Sequence, residues 1–522
     1  MKTRFLLLIL IATVYGQSRI GDWQSITSPL NIRQLTFYQG AVYCATDGGV
    51  LIYYPETDRF ETLTNLDGLA TTDIQAIAID GDGAIWTGGA SPDGVINRLD
   101  AVDPLNQLTL DLKLTEIRAF AISDSLSFVL FKQNQDLGLI QFEKRNGSFQ
   151  YRDVYKNWPS GIQNITGVTL FQTRVFIGTD QGLFAADLTT SNLKNPQAWS
   201  MPFPQIVGSV NKLKLRDDEL IVLNNASLFR INLSTDSLTL ADNQAPSGVV
   251  DLLPVSDSQI IYLLNTTLFL RTGSHTDYWI PIPHYQLTAL ASDPSLGILA
   301  GSHQGLAVID TSNRSLRWKI PNAPVAPPHT ESRNEGGFTA VTVLDDGRVV
   351  VASKKGISIR EPEGWRNIVE STNDRIVIDE TRDYSFFIAD SIPVDFGGFV
   401  ADLEQGPDGL LYCAVRGTYP EPYRHGGGII ILDVDQPESF TLIDTTYLDY
   451  YTTASNSNPY MVVRDLAFDR DGALWVADTY ATNRKRPVQV RDSEGVWGGY
   501  DNDSSGAQLA LTPVTVGFDA WN

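Results

Sequence analysis

The feature that most constrains this chain is a short pattern that keeps returning: an apolar or aromatic residue, any residue, a small Ala or Gly, then usually Thr or Ser. It stands at Tyr43-Cys44-Ala45-Thr46, Trp86-Thr87-Gly88-Gly89, Phe176-Ile177-Gly178-Thr179, Leu299-Ala300-Gly301-Ser302, Val350-Val351-Ala352-Ser353, Tyr412-Cys413-Ala414-Val415 and Trp475-Val476-Ala477-Asp478. Weaker copies at Phe128 to Phe131, Leu220 to Leu223 and Ile260 to Leu264 fill the gaps. From Ala45 to Ala477 the copies recur about every 48 residues, the size of a four-stranded propeller blade.

The interior of each copy carries strand and turn chemistry. The alternating run Ile74 to Asp80 leads through Gly81-Asp82-Gly83 into Ala84 to Thr87, and Asp345-Asp346-Gly347 and Asp469-Arg470-Asp471-Gly472 repeat that turn. Asp-Gly between two apolar runs marks a tight hairpin, because the turn needs a positive φ that Gly adopts without strain. This joins strands A and B of a blade. A second Gly turn follows the column, as in Asp47-Gly48-Gly49, Asp180-Gln181-Gly182, His303-Gln304-Gly305 and Lys354-Lys355-Gly356, and leads into strand C. A last run, often with Trp (Trp199, Trp279, Trp318, Trp365, Trp497), is assigned to the outer strand D. The expected fold class is all-β, two β-propellers in tandem.

Counting copies divides the chain. Residues 1–16 read as a signal peptide, with Lys2 and Arg4 ahead of the apolar run Phe5 to Val14 and small residues at Val14 and Gly16, a run too short to span a membrane. Residues 17–320 hold seven copies and are expected to close a first, seven-bladed ring. The segment 321–336 begins Pro321-Asn322-Ala323-Pro324-Val325-Ala326-Pro327-Pro328 and reads as a linker. Residues 337–522 hold complete copies at Ala352, Ala414 and Ala477, then Val516-Gly517-Phe518-Asp519, which matches Leu466-Ala467-Phe468-Asp469. The second propeller is therefore expected to be incomplete, about three and a half blades of a longer protein. Asp22-Trp23-Gln24-Ser25 has the look of a strand D without a blade; it would complete the last blade of the first ring with Trp318 surplus, or the two would exchange roles.

Composition narrows function. A net charge of −22 argues against a nucleic-acid partner. The two cysteines, Cys44 and Cys413, share a column in different rings, so a disulfide is not expected and both read as packed strand residues. The five histidines, His275, His284, His303, His329 and His425, fall in separate copies or the linker without metal-ligand spacing, and His303 reads as a solvated turn residue. No nucleophile elbow stands beside them, and no catalytic residue is expected. Asp80-Gly81-Asp82-Gly83 and Asp469-Arg470-Asp471-Gly472 open like calcium loops but lack the later bidentate acid, so hairpin turns account for them; calcium elsewhere is compatible with so acidic a chain but has no identifiable site. No cofactor is expected.

The B-to-C turns carry the most informative asymmetry. In the first ring they hold Asp47, Asp93, Asp136 and Asp180. In the second they hold Lys354 and Lys355, then Arg416, Arg424 and His425, then Arg484, Lys485 and Arg486. These turns share one face of a propeller with the D-to-A connections, of which 369–397 and 437–460 are long. An anion-binding face for an acidic glycan is one reading, and ordinary surface scatter is the other.

The blades resemble the two-component-regulator propeller repeats of Bacteroidetes-type bacteria, whose pattern Asp-x-x-Gly-x-Leu-Trp-x-Gly-Thr followed by Gly-Leu is carried best by Asp80 to Gly89 and Asp469 to Asp478, with its second half at Gly178 to Leu183. Ile20-Gly21-Asp22-Trp23-Gln24-Ser25, Val42 to Val50 and Leu66-Asp67-Gly68-Leu69 look like the N-terminal propeller of the PorZ family of the type IX secretion machinery. The resemblance implies a non-catalytic accessory at the outer-membrane surface, or extracellular, working with the sortase PorU and with PorV and PorQ and binding an anionic lipopolysaccharide or polysaccharide. It transfers no individual binding residue. The rival readings are the periplasmic sensor region of a hybrid two-component regulator and, further off, a propeller hydrolase or lyase.

Overall fold

The computed structural model describes residues 23–90, 93–99, 112–189, 192–256, 258–265, 267–273, 275–281, 287–326, 337–353, 356–370, 386–389, 398–417, 426–451, 460–506 and 508–519. They form ten sheets, one for each copy of the repeat. The first is Ile32–Tyr38, Ala41–Thr46, Gly49–Tyr54 and Arg59–Leu63, paired antiparallel in chain order. The remaining sheets begin with inner strands at Ile74–Ile79, Glu116–Ile122, Ile165–Phe171, Val210–Arg216, Asp251–Pro254, Leu287–Asp293, Phe338–Val343, Gly398–Gln405 and Val463–Phe468.

Both turns of the repeat have a visible cause. Asp80 Oδ1 accepts from the N–H groups of Asp82 and Ala84 (both 3.0 Å), closing the A-to-B hairpin, while Oδ2 accepts from Trp86 Nε1 at 2.9 Å. Asp469 does the same with Asp471, Ala473 and Trp475 Nε1, the last at 2.8 Å. The spacing of Asp and Trp in the repeat is thus a hairpin cap joined to its own strand B. At the B-to-C turn, Thr179 Oγ1 donates to the Gly182 carbonyl at 2.8 Å and accepts from its N–H at 3.1 Å. Gly182 sits at φ +142, and a Cβ there would lie 2.6 Å from the Ile206 carbonyl oxygen. Thr46 and Ser302 close their turns in the same way, each donating at 2.8 Å to Gly49 and Gly305.

The central strands are apolar on both faces, so every sheet must be covered twice. Among the described residues one apolar cluster fills each seam. Ala45, Ile52, Ile74 and Leu99 join the first and second sheets; Trp86, Ile117 and Phe142 the second and third; Leu130, Val168 and Ile177 the third and fourth; Phe176, Val210 and Val222 the fourth and fifth. Leu223, Leu252 and Tyr262 join the fifth and sixth, and Leu253, Leu287 and Ala300 the sixth and seventh. Ile32, Cys44, Leu51, Leu299 and Leu306 then join the seventh to the first, and the ring is closed. The eighth, ninth and tenth sheets form an arc with two such seams. These are a seven-bladed propeller and an incomplete second one. Cys44 and Cys413 are unpaired and buried within these seams, where burial pushes both thiols up.

A second device sets the order of the sheets. In nine of them the inner strand carries a one-residue register shift. At four of these bulges the extra residue donates to the backbone carbonyl just before the bulge of the next sheet: Arg33 Nη1 to Ile74 (3.0 Å), Thr166 Oγ1 to Val210 (2.7 Å), Thr288 Oγ1 to Ile32, and Thr339 Oγ1 to Val400 (2.5 Å). Acceptors one sheet behind complement them: Gln34, Asp251 and Asp402 take the N–H groups of Ile77, Leu290 and Leu466 at 3.0, 2.7 and 3.0 Å.

The structure differs from the sequence reading at several places. Trp23 belongs to no strand and is 82% exposed, whereas Trp318 pairs with Ala307 in the outer strand of the seventh sheet. A strand joined to its neighbour by a short turn closes a far smaller loop than one returning from the N-terminus. The first ring therefore closes through side chains, with Thr288 bonded to Ile32 and His303 Nδ1 bonded to Asn31 Oδ1, so His303 is a seam residue and not a solvated one. Trp199 is also not on a strand. Its indole is buried and donates to the Leu193 carbonyl at 3.1 Å, and the neighbouring Ser200 keeps a single bridge to Ala185, because Pro196, Pro202 and Pro204 remove ladder donors. The described part of the expected linker is docked: Ala323 and Val325 are buried, Val325 donates to Ser358 Oγ at 3.0 Å and accepts from Ser353 Oγ at 2.7 Å, and Asn367 Nδ2 reaches the Ala323 carbonyl at 3.1 Å. Of the two long connections, 369–397 contributes Phe386–Ala389 in parallel to the eighth sheet, and the first residues of 437–460 belong to the strand Gln436–Ile443.

Replacing Thr288 with Val keeps the volume and removes the donor at the closing seam. We expect a loss of about 1–3 kcal/mol in unfolding free energy, measured by urea titration.

Candidate functional site

Of the eight residues proposed for a cationic face, Lys354, Lys355, Arg424 and His425 lie outside the described residues. The structure places the other four, Arg416, Arg484, Lys485 and Arg486, at the B-to-C turns of the ninth and tenth sheets. Arg416 is the penultimate residue of the strand Leu411–Gly417, and its Nε lies 3.4 Å from Tyr460 Oη. Tyr460 also bridges to Tyr451, whose ring lies 6.1 Å from that of Tyr480, in the turn that continues into Arg484. The two turns are therefore linked through tyrosines of the D-to-A connection between them.

That connection carries the group that organises the site. Asp449 is fully buried, and Arg484 Nε and Arg486 Nη2 reach its Oδ1 at 2.6 and 2.7 Å. Arg486 Nε reaches its Oδ2 at 3.2 Å, and Arg484 Nη2 also reaches the carbonyls of Tyr447 and Leu448 at 3.4 Å. Tyr450 and Asn483 tie the same two segments, with Tyr450 N–H donating to Asn483 Oδ1 at 2.9 Å. One carboxylate therefore neutralises one of two guanidiniums, and both serve to hold the turn. Lys485 between them is exposed, sits at φ 58 and makes no ion pair among the described residues. Tyr447 and Tyr480, 46% and 48% exposed, add aromatic surface beside it.

Beneath the turn lies a second buried acid. Asp478 occupies the position of the turn-closing Thr179 and Ser302; it accepts from Val462 N–H at 3.2 Å and Gln489 Nε2 at 3.0 Å, while Gln489 Oε1 accepts from Asp449 N–H at 2.8 Å. Burial pushes its carboxyl up to about 8. The other acids of interest are occupied structurally. On the inner strands of the second ring, Asp402 and Asp465 lie together, and burial with its acidic neighbour holds Asp402 above the usual carboxylate range. Asp402 holds the Leu466 N–H, and Asp465 accepts from Thr515 Oγ1 at 2.7 Å and Val516 N–H at 2.5 Å, the residue that matches Leu466. Asp80 carries Arg98 at 2.8 Å besides its hairpin. Among the described residues no group of three or more His, Cys, Asp or Glu side chains is placed to hold a metal, and no helix is long and apolar enough to cross a membrane.

Asp449, Tyr447 and Tyr480 were not singled out by the sequence reading. One aspartate among 61 acidic residues carries no local mark of burial, and only its position between the two arginines reveals it.

The fold is that of tandem β-propellers. Among solved structures the chain is similar to PorZ, an essential bacterial surface component of the type-IX secretion system of Porphyromonas gingivalis, with a TM-score of 0.57 and 14% identity over 92% of this chain and 60% of that one. It is also similar to an ancestral GH74 enzyme (TM-score 0.52, 12% identity, 90% of this chain and 69% of that one) and, more remotely, to the extracellular domain of a putative one-component system of B. thetaiotaomicron (0.40, 12%, 90% and 59%). No family model matches the chain, and no curated protein does.

Two outcomes follow from the buried acids. Asp449→Asn leaves two guanidiniums without their counter-charge and should cost about 2–3 kcal/mol by urea titration, below the usual cost of breaking a fully buried pair because Arg484 is half-exposed. Asp478 binds a proton more tightly folded than unfolded, so its contribution is present below the unfolded pKa and is lost as pH rises from about 4 towards 8. Unfolding free energies of the wild type and Asp478→Asn should therefore converge or cross as pH rises through this window; parallel curves would show that Asp478 ionises freely.

Proposed function

We propose that this protein is a non-catalytic surface scaffold of the PorZ kind, exported through its N-terminal segment and binding an acidic glycan or lipopolysaccharide together with protein partners. The feature that carries the reading is the clustering, in sequence, of basic residues at the B-to-C turns of the second ring, with Lys485 exposed and without an ion pair among the described residues, in a chain of net charge −22. Similarity to PorZ over 92% of the chain supports the scaffold architecture. The protein partners, PorU, PorV and PorQ, come from the sequence resemblance alone. The carboxylates on the inner strands, where a propeller enzyme would keep its acid and base, are engaged with backbone N–H groups of the following segment, which favours a structural role for them.

The buried ion pairs decide how to test this. Reversing Arg484 or Arg486 would place new acids against Asp449 and confuse binding with folding. Lys485 is exposed and free of ion pairs among the described residues. The triple substitution Lys354→Glu, Lys355→Glu and Lys485→Glu should keep the melting temperature and weaken retention on heparin, a generic polyanion, by about tenfold, most at low salt. Unchanged retention with an unchanged melt would remove the turn face as an anion site.

A further inference from the structure

A cleft of about 360 Å³ lies where the first ring meets the eighth sheet. One wall is the N-terminal segment 23–29 with the outer edge of the first sheet, and the other is Asn322 to Pro324 with Arg360 and Trp365. Its features are unusual for a surface crevice. Trp23 presents an indole that is 82% exposed. Opposite, the Arg360 guanidinium lies 5.3 Å above the Trp365 ring, and no carboxylate among the described residues pairs with it. Asp67 also lines the cleft, but its Oδ2 accepts from both the N–H (2.8 Å) and hydroxyl (3.2 Å) of Thr64.

The Arg360 wall is built rather than incidental. Asn322 Oδ1 accepts from the Trp365 N–H at 2.6 Å, which fixes the indole beneath the guanidinium. The preceding Gly364 stands at φ +144, and a Cβ there would fall 2.5 Å from Asn322 Oδ1, so only glycine lets the docked segment approach this closely. On the other side Ser25 Oγ donates to Asn65 Oδ1 at 2.9 Å and holds the N-terminal segment against the first sheet. Thr27 and Thr62 line the same space.

We propose that this cleft is a seat for one sugar unit bearing a carboxylate or phosphate. The exposed Trp23 face suits the C–H face of a pyranose ring, the lining threonines Thr27 and Thr62 suit its hydroxyl groups, and Arg360 supplies the planar donor fork that recognises a carboxylate or phosphate. The inference rests on the glycan-binding reading and locates a site separate from the turn face of the second ring.

The test applies the fluorescently labelled full chain to an array of uronic-acid, sialic-acid and phosphate-bearing glycans beside neutral ones. Trp23→Ala and Arg360→Gln alter exposed side chains and should leave the melting temperature unchanged. Wild type should retain acidic glycans; Arg360→Gln should lose about tenfold on these alone, and Trp23→Ala about tenfold on every glycan retained. The Lys354→Glu, Lys355→Glu, Lys485→Glu chain separates the two sites. Loss in the cleft variants with retention in the lysine variant supports the cleft and counts against the turn face. Loss only in the lysine variant overturns the cleft and leaves the turn face standing. Failure of the wild type to retain any acidic glycan, or equal retention by wild type and both cleft variants, also overturns it.

Discussion

Everything in this molecule depends on sheets that are apolar on both faces. A sheet with one polar face can end a structure, but one with two apolar faces needs a neighbour on each side, and a row of them is satisfied when it bends into a ring. Seven sheets and seven apolar seams meet that condition in the first ring. The apolar contacts alone would tolerate many rotations of one sheet against the next, since burial is not directional. The bulge donors remove that freedom. Thr166, Thr288 and Thr339 each reach a backbone carbonyl at the equivalent place in the following inner strand, so the neighbouring sheets are held in a common register at the axis.

The acidic composition is reconciled with this packing by using carboxylates as acceptors for otherwise orphaned donors. Asp80 and Asp469 cap hairpins and take an indole N–H; Asp251 and Asp402 hold the next sheet; Asp242 takes the Tyr262 hydroxyl at 2.8 Å and Arg271 at 2.7 Å. Asp449 applies the same habit to the basic turn of the tenth sheet, where it accepts from Arg484 and Arg486. Net charge therefore says little about which acids and bases are available to a ligand. Lys485 and Arg360 are two exposed bases that no carboxylate claims among the described residues.

The repeat, the hairpins and the number of blades were legible in the sequence because their causes are local: Asp80 caps a turn that ends four residues later, and Thr179 closes one that ends three residues later. Two things were not legible. An outer strand is marked only by an aromatic residue in a short extended run, so Trp23, Trp199 and Trp318 looked alike, although prolines exclude Trp199 and a nearby turn favours Trp318. The role of 321–326 was also hidden, because prolines advertise a linker while the partners that dock it, Ser353, Ser358 and Asn367, lie about thirty to forty residues downstream. At the candidate site the arginines were found from charge alone, and their buried partner was not, because burial of Asp449 is decided by the chain around it.

The closing seam of the first ring has a mechanical meaning. No strand is shared across it; the two ends meet through apolar side chains, Thr288 against Ile32 and His303 against Asn31. The chain enters the ring just before this seam and leaves it just after, and both the entering and leaving segments run along the joint with the eighth sheet. A tug on the second ring is thus delivered to the one seam of the first ring that no chain connection crosses. At that seam the ring is held by apolar packing and two side-chain hydrogen bonds, with an intact blade on either side.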